Sequence, residues 1–229
     1  MTDHAIARAC DAAILKPDIS RADCAAQIRA CVARQVFSVC VRPSDIDLAV
    51  ELTRGSATAV SAVIGFPHGT TLAAAKAAEA ALCLELGAVE LDMVANIARI
   101  RSADWAAVEA DIRAVAQVCK PAGALLKVIL ETCLLSLDEV TAATRMAIAA
   151  GADFVKTSTG FNGPGASIEA VSAMLEAAAG RIQVKASGGI RSRDQAAAFL
   201  AMGVTRLGVG ATALDAILGG TAEVRQSGY

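Results

Sequence analysis

A (β/α)8 barrel is the fold this sequence predicts, and three observations predict it. Short runs of β-type residues alternate with longer Ala-rich helical stretches along the chain. Eight such strand-like runs can be counted, at 12–15, 37–41, 59–65, 89–94, 125–130, 154–157, 183–186 and 206–209. Neither a linker nor a low-complexity break interrupts the rhythm, so residues 1–229 read as one domain, with a mobile C-terminal tail as an expectation. Strands that each hand over to a helix run parallel, and eight of them point to a closed barrel rather than an open doubly wound sheet.

The intervening helices carry boundary signals. Ser20 precedes Asp23 by three residues, and Ser136 stands ahead of Asp138 and Glu139, the pattern of a side-chain N-cap followed by acidic residues in the first turn. Gly87, Gly151 and Gly203 follow three of the helices and suit left-handed C-terminal caps before the next strand.

Composition excludes several classes of function. With 55% of positions hydrophobic and only 3% aromatic, the chain can bury a large aliphatic core but offers few stacking platforms for bases or sugars. A net charge of -2 without a basic run gives no footprint for nucleic acid or an anionic membrane surface. The apolar stretch at 57–66 falls short of the roughly 18 residues that span a bilayer. The polar start Thr2-Asp3-His4 lacks a signal-peptide pattern, so a cytoplasmic enzyme is expected. Seven scattered cysteines without a CxxC pair indicate neither a disulfide framework nor a zinc site, and most suit small core positions. A homodimer is expected from base rates alone.

Active-site side chains of this fold sit at the C-terminal ends of the strands, so charged residues there need explaining. Three runs stand out: Val89-Glu90-Leu91-Asp92-Met93-Val94, Phe154-Val155-Lys156-Thr157-Ser158-Thr159-Gly160 and Val184-Lys185-Ala186-Ser187-Gly188-Gly189-Ile190. A lysine in an apolar strand is costly to keep charged; burial lowers its pKa and leaves an amine able to attack a carbonyl. If Lys156 and Lys185 meet at the mouth, each disfavours protonation of the other, and one can act as nucleophile while its neighbour stays cationic. Position alone leaves open a plainer reading, in which the lysines snorkel to the rim or pair with Asp92 or Glu131.

The words around these residues narrow the choice. Lys156-Thr157-Ser158-Thr159-Gly160 and Lys185-Ala186-Ser187-Gly188-Gly189-Ile190-Arg191 resemble the two lysine motifs of the deoxyribose-phosphate aldolase family, and Glu90-Leu91-Asp92-Met93-Val94 resembles its aspartate motif, in the family's order. The resemblance extends through Ser38-Val39-Cys40-Val41, Val63-Ile64-Gly65-Phe66-Pro67 and Lys127-Val128-Ile129-Leu130-Glu131-Thr132 to the final Tyr229, covering roughly residues 10 to 229. It implies a Schiff-base aldolase that reversibly cleaves 2-deoxy-D-ribose 5-phosphate to D-glyceraldehyde 3-phosphate and acetaldehyde. Lys156 would form the imine, Lys185 would lower its pKa, Asp92 would move protons through a bound water, and Tyr229 would dip into the site from a mobile tail. An imine accepts the electrons of a breaking carbon-carbon bond without a metal or other cofactor. A metal-dependent route has only His4 and His68 to draw on, and neither belongs to a ligand cluster.

The remaining expectations concern substrate. Gly160, Gly188, Gly189, Gly208 and Gly210 can aim backbone N–H groups at a phosphate, with Ser187 and Arg191 adding side-chain contacts. Cys40, at a strand end, can face substrate or pack in the core, and Lys127 and Glu131, four apart, would share a strand face as an inward ion pair near Asp92. Two departures bear on specificity. The family's Ser-Ser pair after the last glycine is replaced by Gly210-Ala211-Thr212, and its Asp-His-Thr-Leu-Leu-Lys-Pro start by Asp11-Ala12-Ala13-Ile14-Leu15-Lys16-Pro17, which keeps Asp11 as a substrate-side carboxylate but not the neighbouring hydroxyl. An aldolase for an unphosphorylated or different aldehyde, and a sugar-phosphate-binding barrel without turnover, are the alternatives.

Overall fold

A computed structural model of the protein describes residues 1–219. Eight parallel strands pair in chain order and close on themselves: β1 (Cys10–Ile14), β2 (Ser38–Val41), β3 (Ala59–Ile64), β4 (Glu90–Val94), β5 (Leu125–Ile129), β6 (Phe154–Lys156), β7 (Gln183–Ser187) and β8 (Arg206–Gly210). All eight expected runs are strands. β1 starts at Cys10 rather than at residue 12, because Asp11, which reads as a boundary residue, points into the barrel and is paired there.

Side-chain alternation divides the strands into two unlike faces. Outward-facing residues such as Val39, Leu91, Val128, Val155 and Leu207 join one apolar cluster with the helices around the barrel. The inward face carries Asp11, Glu90, Asp92, Lys127, Lys156, Lys185 and Arg206, all buried. Barrels of this kind are ordinarily filled by branched aliphatic side chains; here ion pairs fill much of the interior.

Local signals fix the helices that brace this arrangement. Ser20 caps Arg21–Ala33 by accepting from Asp23 N, and Ser136 forms a reciprocal capping box with Glu139 at the head of Leu137–Ala150. Gly151 and Gly203 end their helices at φ 87° and 106°, and Gly87 follows Ala73–Glu85 at φ 102°, the left-handed conformation expected of each. All seven cysteines are free, and five of them lie in the main apolar cluster. Among the described residues no helix is long and apolar enough to cross a membrane.

One further ion pair lies outside the barrel. Lys76, in Ala73–Glu85, is fully buried; its Nζ donates to Asp111 Oδ2 at 2.6 Å, in helix Trp105–Cys119, and to the Val94 carbonyl at 2.9 Å. Burial lowers the Lys76 pKa and raises that of Asp111, each offset in part by the partner. Removing one member strands the other in an apolar interface. Lys76→Ala is therefore expected to cost about 3–5 kcal/mol, and Lys76→Met with Asp111→Leu to recover most of it. Urea unfolding of the three proteins measures both; a single variant as stable as the parent would refute the pairing.

Candidate active site

Asp92, in the middle of β4, gathers the charged side chains. Its Oδ2 accepts from Lys156 Nζ and Lys185 Nζ, both at 2.8 Å, and its Oδ1 from Lys127 Nζ at 2.8 Å and Ser61 Oγ at 3.2 Å. The register makes this possible: Lys127 stands beside Asp92 across the β4–β5 ladder, and Lys156 beside Lys185 across β6–β7. Asp11, on β1, takes Lys185 Nζ on Oδ2 at 2.5 Å, and on Oδ1 Arg206 at 2.5 Å and Ser38 Oγ at 2.7 Å. Glu90 completes the set by accepting from Lys127 at 2.5 Å and from both terminal nitrogens of Arg206.

Burial and pairing act on these groups in opposite directions. For Asp92, burial alone would raise the pKa, but Lys127, Lys156 and Lys185 together hold it well below the ordinary carboxylate range. Asp11 is likewise driven below its usual value, as Lys185, Lys127 and Arg206 outweigh burial. Lys127 and Lys185 are pushed up, because the carboxylates around them outweigh the loss of water. Lys156 alone of the three lysines is lowered: burial dominates, Asp92 offsets it only in part, and Lys185 repels a second charge. It is also the most open, 5% exposed against 0% for Lys127 and 1% for Lys185. The arrangement thus offers one amine tuned toward the free base, a cationic neighbour and an ionised carboxylate shared between them, the set required to form an imine and move protons beside it.

The expected ion pair between Lys127 and Glu131 does not form. β5 ends at Ile129, and Glu131 lies beyond it in the left-handed region at φ 57°, so strand parity no longer aligns the two. Lys127 spends its charge on Asp92 and Glu90 instead. Glu131 accepts from Thr159 N, Thr159 Oγ1 and Asn162 Nδ2, and Asn162 also donates to the Pro67 carbonyl at 3.2 Å. It therefore ties together the loops that follow β3, β5 and β6.

Cys40 packs with Leu15 and Val63, with Ala13 and Phe66 against them, in a small apolar cluster separate from the main core. Burial and then Asp92 raise its thiol, which keeps it protonated. Of the glycines expected on the rim, Gly160, Gly188 and Gly189 have φ of 84°, 85° and 73°. Gly188 packs so closely against Gly165 that a Cβ on the latter would lie 2.0 Å from the Gly188 carbonyl oxygen. Gly208 must be small for another reason: a Cβ there would lie 2.4 Å from Ser187 Cβ and 3.2 Å from Lys185 Cε. Gly210 caps the short turn Ala211–Ala213. Ser187 donates its hydroxyl to the Ser158 carbonyl, and Arg191 is exposed. Tyr229 lies outside the described residues. Among those residues no group of three or more His, Cys, Asp or Glu side chains is arranged to hold a metal.

Sequence reasoning missed four members of this site: Ser38, Ser61, Glu90 and Arg206. Glu90 was legible, since a spacing of two from Asp92 puts both on one strand face. Arg206 opens its strand, where a charged residue reads as an edge, and the serines carry no signal of their own.

The DeoC/LacD family aldolase profile matches residues 2–214. A protein named deoxyribose-phosphate aldolase 2, from Bacillus licheniformis, is 44% identical over 206 residues, which cover 90% of this chain and 92% of that one. A deoxyribose-phosphate aldolase of Frankia alni is 45% identical over 215 residues, 91% and 94% of the two chains. The tetrameric deoxyribose phosphate aldolase structure from Aeropyrum pernix matches with a TM-score of 0.88 at 29% identity, over 95% of this chain and 91% of that one.

The depressed carboxylates give stability a definite pH dependence. Asp11 and Asp92 have folded pKa values below the unfolded value of about 3.9, so their contribution is complete above that value and is lost as pH falls through the folded ones. Asp11→Asn is expected to cost about 3–5 kcal/mol near neutral pH, and to flatten the acid-side slope of stability against pH. Urea unfolding at a series of pH values below about 5 measures the slope. Equal slopes in variant and parent would contradict the assignment.

Proposed function

We infer, since the chain belongs to the DeoC/LacD family of aldolases, that it reversibly cleaves 2-deoxy-D-ribose 5-phosphate to D-glyceraldehyde 3-phosphate and acetaldehyde. The observation that carries this reading is the pairing of Lys156 and Lys185 on one oxygen of Asp92, with Lys156 alone shifted toward its free base.

The neutral Lys156 amine adds to the C1 aldehyde of the open-chain sugar and loses water to give a protonated imine. Asp92, through a bound water, takes the proton of the C3 hydroxyl. The C2–C3 bonding pair then moves into the imine, leaving an enamine on Lys156 and an aldehyde at C3, which departs as D-glyceraldehyde 3-phosphate. Protonation of the enamine carbon and hydrolysis release acetaldehyde and regenerate the amine. Lys185, paired with Asp11 and Asp92, stays cationic throughout and discourages protonation of Lys156. The imine itself is the electron sink, so the reaction uses no cofactor.

Specificity rests on the rim. The backbone of Gly160, Gly188, Gly189, Gly208 and Gly210 is the proposed phosphate cradle, with Arg191 near it and Tyr229 as a proton-transfer residue from the tail. One observation favours a second reading, an aldolase for an unphosphorylated aldehyde: Gly210 and Ala211 supply no hydroxyl, and the Ser187 hydroxyl is committed to Ser158. All seven cysteines are free, which suits the cytoplasm, and we propose a homodimer on base rates.

Incubation with acetaldehyde and borohydride, followed by mass spectrometry, is expected to give a stable adduct on Lys156 that Lys156→Ala lacks. A folded parent protein without an adduct would leave a sugar-phosphate-binding barrel instead. Cleavage should be faster with 2-deoxyribose 5-phosphate than with 2-deoxyribose, and the reverse order would replace the favoured substrate with the unphosphorylated one.

A further inference from the structure

Glu90 and Arg206 take no part in the reaction as described, yet both are buried inside the barrel, 3% and 4% exposed. Glu90 precedes Asp92 by two residues on β4 and so lies on the same inward face, one layer nearer the N-terminal ends of the strands. Arg206 stands beside Lys185 in the β7–β8 register and donates to Asp11 Oδ1 at 2.5 Å and to Glu90 at 3.1 and 3.2 Å. Its guanidinium lies 3.4 Å over the Phe37 ring and 5.5 Å from that of Phe154. A buried ion pair is no more stabilising than aliphatic side chains of the same volume, so packing alone gives no reason to place one here.

The charges supply the reason. The strands present to Lys156 a carboxylate on β1 (Asp11), a protonated thiol on β2 (Cys40), the uncharged Ser61 on β3, carboxylates on β4 (Glu90 and Asp92), and cations on β5 (Lys127), β7 (Lys185) and β8 (Arg206). Lys127, Lys185 and Arg206 each lie within ion-pair distance of two or more of these carboxylates, and the three cations balance the three anions. Lys156 is the fourth base, and the one carboxylate oxygen it reaches is already held by Lys185.

We propose that Glu90 and Arg206 are positioning residues for imine formation: they close the charge balance beneath the site, so that a proton on Lys156 is the one uncompensated charge in the barrel. The inference rests on Lys156 being the imine-forming amine. Removing either residue changes the balance by one unit, in opposite senses.

The test reads the pH dependence of the rate of imine formation, with acetaldehyde and cyanoborohydride and the adduct mapped to Lys156. In Glu90→Gln the interior gains positive charge, and the acid limb of the profile is expected to move to lower pH. In Arg206→Met it loses positive charge, and the limb is expected to move to higher pH, each by on the order of one pH unit. Arg206→Lys keeps the charge and should stay near the parent, and Glu90→Gln with Arg206→Met should return toward it. Limbs that stay put, or that move in the same direction in both single variants, would overturn the proposal. If Arg206→Met does not fold, the nearly isosteric Glu90→Gln decides by sign: a shift to lower pH supports the proposal, and no shift or the opposite one overturns it. A parent protein with no adduct on Lys156 would overturn the imine reading and this inference with it. A normal parent adduct with unmoved limbs would overturn this inference alone.

Discussion

Everything inside the barrel is organised around one carboxylate. Asp92 is fully buried with both oxygens occupied, and three lysines from three consecutive strands compete for them. An ionised carboxylate without water survives only where cations meet it directly, so these ion pairs tie β4 to β5, β6 and β7 in addition to the backbone ladder. The strand interior pairs Asp92 with Lys127 across one ladder and sets Lys156 beside Lys185 across another. Small residues make room for the long side chains, as at Gly208 beside Lys185 and at Ser38 and Ser61, which also add hydroxyl donors to Asp11 and Asp92. The aliphatic cost is moved outward: the apolar core lies between barrel and helices, where strands buried on both faces are expected to place it.

That organisation makes three chemically identical side chains unequal. Lys127 touches Asp92 and Glu90, and Lys185 touches Asp11 and Asp92, so for both of them attraction outweighs burial. Lys156 shares its oxygen and lies nearest the opening. The loops at the mouth are tied to one another rather than left to drift. Glu131, in a left-handed conformation that a non-glycine residue adopts at a cost, holds Thr159 and Asn162, and Asn162 reaches the Pro67 carbonyl. Phe66 and Phe161 meet edge to face at 5.1 Å across the same gap. The amine is thereby presented from a fixed frame, which is what positioning for addition to a carbonyl requires.

Much of this is legible in the sequence alone. The alternation of apolar runs located all eight strands, and Ser20, Ser136, Gly151 and Gly203 marked helix ends where short-range hydrogen bonding decides the outcome. Lys156, Lys185 and Asp92 stand out as charged residues within apolar strands, but it is the motifs around them, through their resemblance to the aldolase family, that single them out. One failure comes from side-chain parity, which holds only inside a strand. Glu131 lies two residues past the end of β5, so counting by twos from Lys127 gave the wrong partner. Arg206 opens its strand, where charge reads as an edge, and only closure of β1 onto β8 brings it to Asp11.

Lys76 shows why a buried lysine is weak evidence of chemistry on its own. Like Lys156 it is buried, lies within hydrogen-bond reach of a carboxylate, and has its pKa lowered chiefly by loss of water. Unlike Lys156 it reaches a carboxylate that it shares with no other cation among the described ion pairs, and it adds a backbone carbonyl as a second acceptor. Its charge is therefore answered within a helix–helix interface, with no opening toward a ligand. Lys156 has half a carboxylate oxygen, a cation on the far side of it, and the mouth of the barrel above. The physical difference between a structural lysine and a nucleophilic one is thus the incompleteness of its countercharge together with access, and neither quantity is visible from the residue type or from burial alone.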